Sequence, residues 1–336
     1  MLTYTDNYKA DAARYDGRME YSKCGNSGIA LSELTLGFWW NFGGIDAYVD
    51  SLEKVKFAFD SGITVFDLAN NYGPPFGSAE ETFGKIYAEN FKPYRNEMVV
   101  TTKAGYNMWE GPYGVGSSRK MLMTSLEDSL RRMNLDYVDI FYSHRYDENT
   151  PLDETMQTLV DIVKQGKALY VGLSNYPVDK LIYAIKYLED NKVHPLVYQG
   201  KYNMNFREVE AKHLDTLEKY GVGFTAFSPI AQGILTDKYL KEIPTDSRIA
   251  RGHYLTKDNI PEELLAKLRQ LNAMAGERGQ SLAQMATAWL LANSGVTSVI
   301  IGPRTMGQLK DSLAAVHNKV FSADELMKID SIMNGK

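Results

Sequence analysis

The sequence predicts an α/β fold: a closed (β/α)8 TIM barrel carrying an N-terminal β-hairpin plug, a long loop after the seventh barrel strand and two extra helices. Two observations carry this. Eight short runs of β-branched or aromatic residues recur along the chain, and the segments between them place apolar residues at helical spacing. A strand that is always followed by a helix returns parallel to its predecessor, and eight such units at this length are what a closed barrel requires.

The runs are Glu33 to Gly37, Thr64 to Ala69, Met98 to Lys103, Val138 to His144, Leu169 to Ser174, Leu196 to Tyr202, Gly223 to Pro229 and Thr297 to Gly302. Between them, Leu122, Leu126, Leu130 and Met133 share one helical face, as do Met156, Leu159, Val160 and Val163, and later Leu264, Leu268 and Leu271. Start signals agree. Ser78 with Glu81 and Thr305 with Gln308 have capping-box spacing, and Thr150-Pro151 reads as a cap with proline in the first turn. Three features exceed the eightfold pattern: a hairpin around Gly25-Asn26 in Glu20 to Leu31, helices over Ser281 to Ala292 and Ser322 to Met333, and a long loop, Gln232 to Ile260. The hairpin is expected to plug the barrel end opposite the active site. The loop, with Lys238, Arg248 and Arg251, is expected to act as a lid.

The competing architecture is a doubly wound open sheet. Such a sheet, if it held a dinucleotide, would carry G-x-G-x-x-G directly after an early strand, and no such string occurs. The nearest segment, Gly111 to Gly116, has the wrong spacing and is expected to be a mobile loop.

The 336 residues, 44% hydrophobic and 24% charged, supply a buried core and contain no apolar run near the roughly 18 residues of a membrane span. One domain is expected over residues 1–336, with 1–18 as an N-terminal extension. Met1 to Tyr21 lacks a basic segment followed by an apolar one, so the cytoplasm is the expected location. Acidic and basic side chains, 42 against 37, give a net charge of −5 and are interspersed, which argues against nucleic acid or an anionic membrane as partner. The single cysteine, Cys24, excludes an internal disulfide and a multi-cysteine metal site, and is read as a half-buried turn residue.

Barrel enzymes work at the carboxyl ends of their strands. There the chain places Trp39, then Asp67 and Tyr72, Lys103, His144, Ser174 with Asn175, Gln199, Phe227 with Ser228, and finally Arg304. Taken singly, each has a structural explanation; together they share one rim. Asp67, Tyr72, Lys103 and His144 make chemical sense as a catalytic set. A tyrosine of pKa about 10 is a poor acid in water, and a nearby ammonium lowers that value by stabilising the phenolate. Lys103 is placed to be that cation, Asp67 to keep it charged, and His144 to hydrogen-bond a carbonyl oxygen. None of the four is a reductant, so a cofactor must be.

The motifs Phe66-Asp67-Leu68-Ala69-Asn70-Asn71-Tyr72-Gly73, Thr102-Lys103, Tyr142-Ser143-His144-Arg145, Gly172-Leu173-Ser174-Asn175 and Phe227-Ser228-Pro229 resemble those of the aldo-keto reductase family, in its order, over about Tyr21 to Phe321. Within the family the chain is similar to the bacterial L-glyceraldehyde 3-phosphate reductases, themselves similar to potassium-channel β subunits. The strings Asn70 to Pro75, Lys103 to Tyr106 with Trp109 and Gly111 to Gly114, and His144 to Pro151 carry that match.

The resemblance implies NADPH lying across the barrel mouth. Ser174, Asn175 and Gln199 would hold the nicotinamide carboxamide, Phe227 would stack on its ring, and Phe38 and Trp39 would contact it. Ser228, Pro229, Ile230, Ala231, Gly233, Lys238 and Arg248 would line the pyrophosphate beneath the 232–260 loop, and Gly302, Arg304, Gln308 and Asp311 the adenosine end. The chain departs from relatives in having Phe227 where Tyr or Trp is frequent, Arg304 where many have serine, and Ser312 where many have asparagine. Small aldehydes such as L-glyceraldehyde 3-phosphate or methylglyoxal are the implied substrates, and a homo-oligomer, tetramer or octamer, the implied assembly.

Two other classes compete. Lys103 could form a Schiff base in an aldolase, but the acid and phenol beside it argue for a charged lysine, which is no nucleophile. A channel-type binding subunit is disfavoured by His144, since those relatives carry asparagine there. On the substrate side Trp39, Tyr106 and Trp109 offer aromatic walls, with Tyr72 and His144 at the reacting end. Arg145 or Arg119 could meet a phosphate, although a structural ion pair is the preferred reading for Arg145.

Overall fold

Eight short strands pair side by side, all parallel, and close on themselves. They are β3 (Leu34–Gly37), β4 (Val65–Asp67), β5 (Val99–Ala104), β6 (Val138–Ser143), β7 (Ala168–Ser174), β8 (Pro195–Lys201), β9 (Gly223–Phe227) and β10 (Ser298–Ile301). Each falls on one of the eight expected runs. The computed structural model describes residues 8–240 and 256–334.

Helices follow every barrel strand: α1 (Tyr48–Asp60), α2 (Ser78–Ile86), α3 (Arg119–Met133), α4 (Leu152–Lys164), α5 (Val178–Asp190), α6 (His213–Tyr220), α7 (Glu262–Glu277), α8 (Leu282–Leu291), α9 (Met306–Ala314) and α10 (Ala323–Asn334). The two surplus helices are α8 and α10. No helix among the described residues is long and apolar enough to cross a membrane.

α3 shows how local sequence sets an element. Ser118 caps it by accepting the Met121 amide, and Asn134 ends it in the left-handed conformation. Its Leu122, Leu126, Leu130 and Met133 are buried in the core, each contributing on the order of 1.5–3 kcal/mol. The expected caps differ elsewhere. At α2, Gly77 holds the cap position, and Ser78 Oγ instead accepts the Gly44 amide and donates to Pro75 O. Pro151, not Thr150, holds the N-cap position of α4, with no side-chain cap bond, and Thr150 Oγ1 donates to Asp147. Thr305 does cap α9, while the Gln308 side chain accepts from Arg304 N, one residue short of a capping box.

β1 (Tyr21–Lys23) and β2 (Ala30–Ser32) form the expected antiparallel hairpin. Leu31 and Cys24 pack against Val65, Ile140 and Leu196, at or near the amino ends of their strands, so the hairpin closes that end of the barrel. Cys24 is fully buried rather than half-buried, because its thiol donates into the closed end, to Leu196 O, at 3.5 Å. The 111–116 segment is pinned rather than loose: Met108 N reaches Gly114 O, Gly116 N reaches Gly105 O, and Ser117 N reaches the Asp147 carboxylate. Of the 232–260 loop, single helical turns at Asp237–Tyr239 and Lys257–Asn259 are present. Arg248 and Arg251 lie outside the described residues.

Strand register builds the site. Asp67 on β4 is level with Thr101 on β5, Lys103 is level with Tyr142 on β6, and Gln199 on β8 is level with Ser174.

Candidate active site

Tyr72 is delivered by a turn that only certain residues allow. Beyond β4 the chain keeps pairing, with Leu68 N on Thr101 O and Asn70 N on Lys103 O, and then turns through Tyr72 N on Ala69 O. Gly73 follows at φ +153°, where an added Cβ would sit 2.0 Å from Pro75 O, so a side chain there is excluded. Gly77 N returns to Tyr72 O as α2 begins. The phenol is thereby fixed over the mouth.

The four expected residues come together. Lys103 Nζ donates to Asp67 Oδ2 at 2.7 Å, to Leu68 O at 2.7 Å and to Tyr72 Oη at 3.1 Å. Asp67 Oδ1 accepts from Thr101 Oγ1 at 2.8 Å and Gln199 Nε2 at 2.9 Å. The His144 ring lies 5.9 Å from that of Tyr72 and 4.7 Å from that of Tyr106, edge-on to both. Exposure runs from 0% for Lys103 through 3% for Asp67 and 7% for His144 to 8% for Tyr72. An ammonium whose three hydrogens are given to three oxygens has no lone pair for a carbonyl carbon, which weighs against Schiff-base chemistry at Lys103.

One electrostatic expectation is overturned. Burial pushes the Tyr72 phenol well above 10, and the Asp67 and Tyr106 charges add to the rise. Lys103 does not reverse this because Asp67, in contact with it, offsets its charge. Tyr72 therefore holds its proton through the neutral range. Burial also lowers Lys103 below its usual value, with Asp67 restoring part of the loss. Burial, then Lys103 and Arg145, hold His144 well below 6.5, so it is a neutral imidazole. Its Nδ1 is buried and has no partner among the described residues.

The residues expected around a dinucleotide are dispersed along the rim. Asn175, at φ +54°, spends its side-chain nitrogen on His144 O at 3.0 Å and Ser174 Oγ at 2.9 Å. Gln199 is tied to Asp67. Phe38 is not open to a ligand: its ring is sealed against Phe42 at 4.3 Å and Phe83 at 5.6 Å, leaving only its backbone near the mouth. Trp39 is half-buried and lies edge-on to Trp40. Phe227 ends β9 half-buried, and Pro229 and Ala231 are buried. Asp311 is committed elsewhere, accepting from Ser281 Oγ and Gln284 Nε2 at the start of α8. Gly302, Arg304 and Gln308 are exposed at the start of α9.

A profile of the aldo/keto reductase family matches residues 33–334. The chain belongs to that family. It is 51% identical over 326 residues to L-glyceraldehyde 3-phosphate reductase from Escherichia coli (strain K12) and from Escherichia coli O157:H7, covering 96% of this chain and 94% of each relative. It is also 34% identical over 324 residues to a probable voltage-gated potassium channel subunit beta from Oryza sativa subsp. japonica, covering 95% and 98%. As an aldo/keto reductase it is an oxidoreductase acting on a small molecule.

The reductase also has a strained segment at the mouth, where a nicotinamide cofactor would lie. Just past β9, Ser228, Ala231 and Gln232 adopt left-handed φ of 58°, 47° and 59°, followed by Gly233 at 98°. Strained backbone of this kind costs on the order of 1–3 kcal/mol per residue and clusters at ligand sites, although the Ala231 and Gly233 amides are turned inward onto Ser228 O and Ile230 O. Gln232 Oε1 is buried there with no donor among the described residues, so a hydroxyl or amide hydrogen of a ligand would satisfy it. The dinucleotide fits these residues.

Three residues of the site were missed in the sequence. Thr101 is two positions before Lys103 and Tyr142 two before His144, so strand alternation alone points both into the barrel. Lys54 on α1 had no such signal. It is buried, donating to Asn41 O at 2.8 Å and Pro303 O at 3.4 Å, and so ties the loop after β3 to the loop after β10.

Proposed function

We propose that this aldo/keto reductase is a single-domain, cytoplasmic, homo-oligomeric enzyme, tetramer or octamer, that reduces small aldehydes with NADPH. L-glyceraldehyde 3-phosphate and methylglyoxal are the substrates of first choice, the former because the relatives at 51% identity carry that activity in their names.

The bound nicotinamide supplies the hydride. Tyr72 gives its O–H proton to the carbonyl oxygen as that oxygen becomes an alkoxide. Lys103, donating to the phenolic oxygen, stabilises the phenolate left behind, and Asp67 keeps Lys103 protonated. His144, neutral, orients the carbonyl through a hydrogen bond. Trp39, Tyr106 and Trp109 wall the substrate. Ser174, Asn175, Gln199, Phe227, the 228–233 segment, Lys238, Arg248, Gly302, Arg304 and Gln308 serve the cofactor. Arg304 at the start of α9 favours a 2′-phosphate and hence NADPH over NADH.

The single observation that supports this best is the saturation of Lys103 by Asp67, Leu68 O and Tyr72. With its oxygen accepting from Lys103, the phenol has its own hydrogen to give. The test is aldehyde-dependent NADPH oxidation with Tyr72→Phe beside the wild type. A loss of about a hundred- to ten-thousand-fold in kcat is expected with folding intact. Full activity in that variant would remove Tyr72 as the acid. Light scattering in solution checks the assembly, and a monomeric mass would overturn it.

A further inference from the structure

Two arginines lie near the mouth on the side of Tyr106 and the 111–116 segment, and their partners separate them. Arg119 is committed: its Nη1 pairs with Asp161 at 2.5 Å, and its amide donates to Glu154 at 2.9 Å. Arg145, directly after His144, makes no ion pair among the described residues, contrary to the structural pairing expected of it. Its Nε donates to Gly105 O at 3.1 Å and its Nη1 reaches Tyr146 O at 3.5 Å. Its guanidinium carbon is 5.5 Å from the centre of the Tyr106 ring, which in turn abuts His144.

The nearest acid in sequence, Asp147, feels the Arg145 charge but forms no ion pair with it among the described residues. Asp147 accepts from Ser117 N at 2.9 Å and Thr150 Oγ1 at 2.7 Å through one oxygen, and from Asn149 N at 3.1 Å through the other. Arg145 is thus a half-buried cation held in place by backbone carbonyls, with Nη2 given to no acceptor among the described residues. Partial burial strengthens its pull on an anion, and a side chain already fixed loses little entropy on binding one. The chain carries a net charge of −5, so an anionic substrate gains nothing from the overall field and needs a local cation.

We infer that Arg145 is the anion anchor of the substrate subsite, taking the phosphate ester of a short phosphorylated aldehyde while the carbonyl end meets Tyr72 and His144. The planar guanidinium suits a phosphate, and the Tyr106 ring lies between anchor and histidine, where a three-carbon chain would pass. The inference rests on the aldehyde-reductase reading and adds to it the determinant of substrate charge.

The test compares kcat/KM for glyceraldehyde 3-phosphate with kcat/KM for glyceraldehyde, the same skeleton without the phosphate, in the wild type, Arg145→Met and Arg145→Lys. The wild type should prefer the phosphorylated substrate. Arg145→Met should lower that preference about 30-fold, and Arg145→Lys, a point charge without the fork, should restore part of it. Losing the tie to Gly105 O slows both substrates alike, so the ratio reads the phosphate contact and not damage to the loop. An unchanged ratio in Arg145→Met, or a wild type with no preference, overturns the anchor while leaving the reductase reading in place. A wild type that reduces neither substrate overturns the reading, and the anchor with it.

Discussion

Asp67 and Lys103 are locked together at 2.7 Å with almost no access to water, and Thr101 and Gln199 hold the other carboxylate oxygen. Removing one member of such a pair leaves an uncompensated buried charge, which costs about 3–5 kcal/mol, whereas removing both can be nearly neutral. Asp67→Asn and Lys103→Met should each lower unfolding stability by that order. The double variant should recover much of it and remain inactive, because Tyr72 then lacks its cation. Urea denaturation with activity on the same samples checks this; a double variant no more stable than either single would refute the coupling.

His144 is held neutral by burial and by two cations. Its protonation therefore leaves no inflection near pH 6.5 in kcat/KM for the wild type, unlike an ordinary histidine. His144→Asn should lower kcat/KM by about ten- to a hundred-fold, the order expected from one oriented hydrogen bond, without creating or removing a step in that range. A wild-type inflection at the ordinary histidine value that vanishes in the variant would contradict the neutral assignment.

Lys54 makes a prediction about stability. Burial depresses it from 10.5 to about 8, with Asp46 and Asp50 opposing the shift. Because the folded pKa lies below the unfolded one, the unfolded chain binds the proton more tightly between those values, and stability rises with pH across that window. Relative to Lys54→Met, the wild type should therefore gain stability as pH climbs from about 8 to about 10. Denaturation of both proteins at the two ends reads the difference, and a wild type that loses ground would show that the site does not depress Lys54.

Gly172 on β7 faces the Tyr142 ring so closely that a Cβ would lie 2.3 Å from it. Gly172→Ala must displace the Tyr142 ring, overpacking the layer beside Gln199 and Asp67 at a cost of about 1–3 kcal/mol. A lowered Tm together with reduced kcat is expected. Wild-type values for both would mean that the barrel relaxes around the added methyl.

Much of this molecule is periodic and therefore legible. Residues two apart in a strand and three or four apart in a helix share a face whatever the rest of the chain does, so the eight strands, the two surplus helices and the hairpin follow from local pattern. That Asp67, Tyr72, Lys103 and His144 come together was legible for the same reason, since each lies at or just beyond a strand end. What depends on residues distant in sequence was not. Phe38 is expected at a ligand until Phe83 seals it, Asp311 at the adenosine end until Ser281 and Gln284 claim it, and nothing in the sequence marks Lys54, which Pro303 closes over.

Arg119 and Arg145 look alike in the sequence, and only the neighbours supplied by other elements separate the paired cation from the unpaired one. The acidity of Tyr72 divides the same way. Sequence placed an ammonium beside the phenol, but the direction of the shift belongs to the fold, because burial and the Asp67 carboxylate act together and outweigh that one charge. By itself, then, the sequence determined the barrel, and with it that Asp67, Tyr72, Lys103 and His144 would share one rim, through short-range periodicity. The tertiary structure decided which groups are buried, paired or left with a hydrogen to give, because desolvation and pairing are set by everything that surrounds a group.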